Sequence, residues 1–104
     1  IVSAPDGRQM AKLPIGKGAD GAAYDPVRHV VLVPAGRDGS ITVIRLGSKP
    51  AVVATIPTAV SARTITVDPS TGRAYLPSAK LAPAPAGERP KPLPGSFRVL
   101  VVAP

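Results

Sequence analysis

The chain is predicted to be all-β, one small antiparallel sheet repeated along the sequence, and three observations lead there. Laid against itself at a spacing of 43 residues, it matches Ala11, Pro14, Ala19, Asp25, Pro26 and Pro34 with Ala54, Pro57, Ala62, Asp68, Pro69 and Pro77, without a gap. Fourteen prolines and ten glycines punctuate 104 residues, which forbids long helices and suits short strands joined by tight turns. The apolar runs between these breaks are short, aliphatic and without helical spacing. A period in the low forties with this texture reads as β-propeller blades, four-stranded antiparallel sheets that bury their faces only against neighbouring blades.

Taken in order, residues 1–4 read as the end of a strand, Pro5-Asp6-Gly7 as a turn and residues 9–13 as the returning strand, so that 1–15 close one blade. Residues 16–57 hold a complete unit. Its strands are Gly21-Ala22-Ala23-Tyr24, Val30-Val31-Leu32-Val33, Ile41-Thr42-Val43-Ile44-Arg45 and residues 52–56, joined by the Asp25-Pro26-Val27-Arg28-His29 turn, a loop through Gly36-Arg37-Asp38-Gly39, and Gly47-Ser48-Lys49-Pro50. The inner strands are small or apolar throughout and are expected to be covered on both faces, whereas 41–45 alternates like a strand nearer the rim.

Residues 58–104 begin the pattern again with Thr64-Ile65-Thr66-Val67, the turn Asp68-Pro69-Ser70-Thr71-Gly72 and Ala74-Tyr75-Leu76. The segment 39–44 then finds its counterpart in 95–100, at a spacing of 56. The extra residues make a Pro-rich insertion, 79–96, in which Pro83, Pro85, Pro90, Pro92 and Pro94 predict a stiff, extended, polyproline-like strap over the surface. A fourth strand is missing after 99–102. Closed propellers fill such a gap with a strand from the far end of the ring, so the expected architecture is the C-terminal two and a half blades of a longer ring.

The connector Leu13-Pro14-Ile15-Gly16, the strands running into Asp25-Pro26 and Asp68-Pro69, the stretch Arg73-Ala74-Tyr75-Leu76-Pro77 and the closing Pro94-Gly95-Ser96-Phe97-Arg98-Val99-Leu100-Val101-Val102 carry a resemblance. Over nearly the whole chain they resemble the YVTN-repeat (YncE-like) β-propellers. Leu32-Val33-Pro34-Ala35 and Tyr75-Leu76-Pro77-Ser78 stand where the family's Tyr-Val-Thr-Asn would be. The resemblance implies a ring of about seven blades and export to the periplasm or the extracellular space. It brings no catalytic signature.

Thirteen Lys and Arg against six Asp and Glu give a net charge of +7, which favours anionic partners. Nucleic acid fits poorly, because aromatic residues available for base stacking are limited to Tyr24, Tyr75 and Phe97. Without Trp, sugar stacking on indole is excluded; without Cys, so are disulfides, thiolate metal sites and Cys nucleophiles. No apolar stretch reaches the roughly 18 residues of a membrane span.

Gly16, Gly18 and Gly21 spell G-x-G-x-x-G, but that dinucleotide motif needs a helix opening at its last glycine, and an Asp-Pro turn follows instead. A flexible inter-blade connector is the expectation. His29 is the sole histidine and aligns with Gly72 in a turn, which makes it a surface residue without partners for a metal. Asp25 and Asp68 recur at equivalent pre-proline positions, where turn chemistry accounts for both. No catalytic residue, metal ligand or cofactor is assigned.

Blade topology places the connector 16–20, the loop 35–39, residues 58–63 and the insertion at one end. That end carries Lys17, Arg37, Arg63, Lys80, Arg89 and Lys91 against Asp20, Asp38 and Glu88. Lys17, Asp20, Arg37, Arg63 and Lys80 are the candidate ligand-binding residues, with Arg63 foremost because it precedes an innermost strand. The expected function is a non-enzymatic module that binds a protein or a small anionic ligand at the channel mouth and packs against the remaining blades of a parent chain. The alternatives are a fragment of a propeller enzyme, lactonase-like hydrolase or dehydrogenase subunit, whose active site lies in other blades, and a single-stranded nucleic-acid binder.

Overall fold

The Asp-Pro turns set the register of everything that follows. In the computed structural model, which describes residues 1–104, Asp25 Oδ1 accepts the N–H groups of Val27 at 3.0 Å and Arg28 at 3.2 Å. Asp68 Oδ1 accepts the N–H of Ser70 at 3.0 Å and its hydroxyl at 2.7 Å. Both turns then pass through the left-handed region at aligned positions, His29 with φ 54 and Gly72 with φ 74. The chain is thereby reversed, and strands β1 (Ala23–Asp25) and β5 (Thr66–Asp68) pair with β2 (Val30–Ala35) and β6 (Arg73–Ser78). The pairings Asp25↔Val30 and Asp68↔Arg73 stand 43 residues apart, so the sequence repeat is also a register repeat.

The fold is all-β with two antiparallel sheets. The first runs β1-β2-β3-β4, with β3 (Ser40–Arg45) and β4 (Ala51–Pro57); the second runs β5-β6-β7, with β7 (Arg98–Val102). A bulge at Val43/Ile44 interrupts the β3–β4 ladder.

Three details differ from the sequence reading. The short edge strands β1 and β5 keep exposed residues, Tyr24 among them, while the buried residues of the first sheet, Asp25 apart, sit on β2 and β3. The cover on both faces expected of the inner strands is therefore incomplete at β1 and β5, each of which also has a neighbouring strand on one side alone. The stretch 1–13 makes a single bridge, Val2↔Gln9, instead of two strands. The insertion doubles back on itself: Ala82 N–H donates to Lys91 O and Leu93 N–H to Lys80 O, both at 2.8 Å, around the bridge Leu81↔Pro92. Enough non-proline positions remain for its arms to pair, so it is a folded loop and not a single extended strap. Its length also resets the register, because Pro77 faces Val99 where Pro34 faces Ile41. The third strands therefore correspond at a spacing of 58, from Ile41 to Val99, and a slip of two from 56 leaves every side chain on its face.

The sheets pack through one face each. Leu32 and Ile41 from the first meet Ala74 and Leu76 from the second, with Ala62 of the connecting segment between them, and Val30, Val43, Ile56, Ile65, Leu100 and Val102 around the margin. Alanine at 62 and 74, both fully buried, lets the two aliphatic layers approach closely.

Each end of this packing is pinned by a polar side chain. Arg28 pairs with the buried Asp25 carboxylate at 3.1 Å and donates onward to Pro69 O at 3.3 Å and Thr71 O at 3.2 Å in the other sheet's turn. Its guanidinium occupies the space a side chain at Gly72 would need. At the opposite end Ser61 donates its N–H to Gly36 O at 2.9 Å and its hydroxyl to Ala79 O at 2.7 Å, and accepts from Ala79 N–H at 3.1 Å.

Leu76→Ala is expected to cost about 3 kcal/mol in urea unfolding, since Leu76 is fully buried at the inter-sheet contact. Arg28→Ala should cost roughly 1 to 2 kcal/mol through the two inter-sheet hydrogen bonds. Acid should destabilise the protein by a defined route. Burial pushes the Asp25 carboxyl up, but donation by the Arg28 N–H, the Arg28 guanidinium and the Val27 N–H outweighs it and holds the group below its ordinary value. The ionised form therefore belongs to the native state. Its stabilisation is complete at neutral pH and is lost as the pH falls below about 4. Asp25→Asn should lower the urea midpoint at pH 7 and flatten its decline as the pH falls below about 4.

Candidate functional site

Two glycines seat two arginines. The connector into the first sheet is tied to the β2–β3 loop by Gly36 N–H to Gly18 O at 3.0 Å, Arg37 N–H to Lys17 O at 3.2 Å and Lys17 N–H to Asp38 Oδ2 at 2.8 Å. Gly18 takes φ +78, and an added Cβ would stand 2.7 Å from Arg37 Cγ; at Gly36 an added Cβ would stand 2.9 Å from Arg63 Cβ. Missing side chains at 18 and 36 are thus what lets the stems of Arg37 and Arg63 lie on the backbone. The G-x-G-x-x-G stretch is a fixed seat and not a loose connector.

Around these stems lies a cavity of about 1000 Å³, open to solvent along one end of both sheets. Its charged lining is Arg37, Arg63, Arg89 and Asp20, and its apolar lining includes Val60, Leu81 and Phe97. Phe97 is 70% exposed. Arg63 Nε stands 3.5 Å from Asp20 Oδ2, with the side chains 63% and 57% exposed. A pair so exposed is worth little and leaves both groups free to exchange partners. Ser61 forms part of the floor, and its φ of 84 is a conformation that a non-glycine residue adopts only when its surroundings hold it there.

No family model, curated protein or solved structure matches this chain.

Of the five residues selected from sequence, Asp20, Arg37 and Arg63 line this groove together. Lys80 lines a smaller adjoining cavity of about 410 Å³ on the other side of the Ala79–Leu81 segment, and Lys17 lines neither. Lys17 serves the site through its backbone. Arg89 enters from the doubled-back insertion, so its place depends on the hairpin-like fold that the prolines disguised. Ser61 had a legible signal, because it aligns with Gly18 and both have positive φ. Elsewhere, His29 Nδ1 lies 3.4 Å from the Tyr24 hydroxyl on an exposed turn. No three His, Asp or Glu side chains gather to hold a metal ion.

Ser61→Ala and Ser61→Gly separate two contributions. The alanine variant loses the hydroxyl bonds and keeps the unfavourable φ, and is expected to unfold with about 2 kcal/mol less stability. Glycine loses the same bonds but regains on the order of 1 kcal/mol from relief at φ 84, so its urea midpoint should lie between alanine's and the wild type's.

Proposed function

We propose that the chain is a repeat module of a non-enzymatic β-propeller and that its groove binds an acidic partner, through carboxylate or phosphate groups of a protein segment or a small anion. The blade reading is supported by the 43-residue register shared by β1–β2 and β5–β6, by the resemblance of the strand and turn motifs to YVTN-repeat propellers, and by the side-by-side placement of β1 and β5.

The observation that carries the binding reading is the convergence of Arg37, Arg63 and Arg89 on one groove against the single carboxylate of Asp20. Guanidinium groups match carboxylate and phosphate oxygens with paired donors. Here the first side-chain carbons of Arg37 and Arg63 lie against the glycine backbone at 18 and 36, while the Arg63 side chain stays exposed and within reach of a ligand. Asp20 acts as a displaceable counter-ion for Arg63. The exposed Phe97 and Leu81 at the same groove favour an acidic ligand that also presents an apolar group.

Fluorescence anisotropy with a labelled acidic peptide of alternating Asp and Leu, and competition by inorganic pyrophosphate, tests this. Arg63→Ala is expected to weaken peptide binding about fivefold or more, equivalent to about 1 kcal/mol, and raising the salt from about 50 to 300 mM should weaken it further. Asp20→Asn should tighten it. Peptide binding indifferent to both Arg63→Ala and salt would rule the groove out.

A further inference from the structure

Aspartate followed by glycine occurs three times in the chain, at Asp6-Gly7, Asp20-Gly21 and Asp38-Gly39. In such a pair the glycine nitrogen can attack the aspartate side-chain carbon, because no Cβ hinders its approach. The nitrogen must first shed its proton and turn toward that carbon. A hydrogen bond from the N–H to a carbonyl holds it back on both counts.

The structure sets the three pairs apart. Gly7 N–H donates to Ser3 O at 2.7 Å and Gly39 N–H to Ala35 O at 2.9 Å. Both glycines are held in the left-handed region, with φ 70 and 65. Their aspartates are engaged as well: Asp6 Oδ1 accepts the Arg8 N–H at 3.0 Å, and Asp38 Oδ2 accepts the Lys17 N–H at 2.8 Å. The Arg8 N–H, helped by the Ser3 hydroxyl, holds the Asp6 carboxyl below its ordinary value and so in the ionised form, which resists attack. Gly21 N–H makes no hydrogen bond within the chain, and Gly21 lies outside the left-handed region. The Asp20 side chain is 57% exposed and meets Arg63 Nε alone, at 3.5 Å.

We propose that Asp20 is the position at which this chain converts an aspartate to isoaspartate, and that the conversion withdraws the counter-ion from Arg63. The Gly21 nitrogen bonds to Asp20 Cγ, its proton and the carboxyl hydroxyl leave together as water, and a five-membered imide remains. Water then opens the imide. Addition at Cγ restores aspartate, whereas addition at the former main-chain carbonyl breaks its bond to nitrogen and leaves the main chain running through Cγ. Water is the only co-reactant. The product has one more methylene in the backbone at the entry to β1 and one fewer between backbone and carboxylate, which draws the charge back from the guanidinium. The effect on ligands rests on the anion-binding reading of the groove; the conversion itself does not.

The test is incubation of the folded chain at mildly acidic pH, where part of the carboxyl population carries the proton that departs with the water. Trypsin digestion and electron-transfer mass spectrometry follow. Cleavage after Lys and Arg puts the three pairs in separate peptides, 1–8, 18–28 and 38–45. Isoaspartate is expected to form in 18–28 about fivefold faster than in either other peptide, the factor by which one ordinary hydrogen bond keeps an N–H engaged. In urea the three rates should converge. Gly21→Ala, whose Cβ would meet nothing nearer than Arg63 O at 3.4 Å, should suppress the reaction with the β signal in circular dichroism unchanged. The converted form, separated by ion exchange, should bind the labelled acidic peptide more tightly than the fresh protein. Equal isoaspartate in the three peptides of the folded chain overturns the proposal, as does its absence from 18–28 when the chain in urea forms it. Unchanged peptide affinity in the converted form, with Arg63→Ala still weakening binding, overturns the release of Arg63 and leaves the modification site standing. Absence of all peptide binding sinks the groove reading alone.

Discussion

A guanidinium that leaves its own sheet to satisfy the carbonyls of the next sets the geometry at one end of this molecule. Arg28 is held at its base by a carboxylate that is 2% exposed and reaches across to Pro69 O and Thr71 O. A buried carboxylate is tolerated only when its oxygens are fully used. Asp25 meets that condition by closing its own turn with one oxygen and holding the arginine with the other. The requirement at Asp25 thus becomes a tether between the sheets. It also restricts the facing turn, because a side chain at Gly72, where the φ already favours glycine, would run into the guanidinium.

The same economy of small residues operates at the far end. Gly18 and Gly36 admit the stems of Arg37 and Arg63, Ala62 admits the second sheet, and Ser61 joins the β2–β3 loop to Ala79. The groove is a consequence of that packing. Its arginines belong to connecting segments, yet the backbone beside Arg37 and Arg63 is tied down by the hydrogen bonds from Arg37 to Lys17 and from Ser61 to Gly36.

The repeat is faithful in conformation and unfaithful in chemistry. Positions 18 and 61 both have positive φ with Gly and Ser, and positions 29 and 72 with His and Gly. Arg28, by contrast, is matched by Thr71, which cannot reach a further sheet, and the face that is covered on the first sheet is open on the second. The two units thus share a backbone and differ in what they offer a neighbour.

Turn chemistry and strand composition are local, and the sequence alone therefore determined the all-β class, the seven strands to within about two residues, the Asp-Pro turns and the end of the sheets at which Asp20, Arg37 and Arg63 gather. What it left open depends on contacts between segments far apart in the chain. The prolines of 79–96 argued for an extended strap, but the N–H groups of Ala82 and Leu93 find their acceptors in the opposite arm, and the doubled-back insertion brings Arg89 into the groove. Lys80 and Lys17 share that end of the sheets by topology, and only packing directed one to a neighbouring cavity and the other away from both. In the sequence Arg28 is one residue of an Asp-Pro turn, and its inter-sheet role arises only where the second turn lies within reach of its guanidinium. A residue's conformation is set mostly by its neighbours in sequence, whereas its exposure and partners are set by whichever surface lies across from it, and that is decided by the tertiary structure.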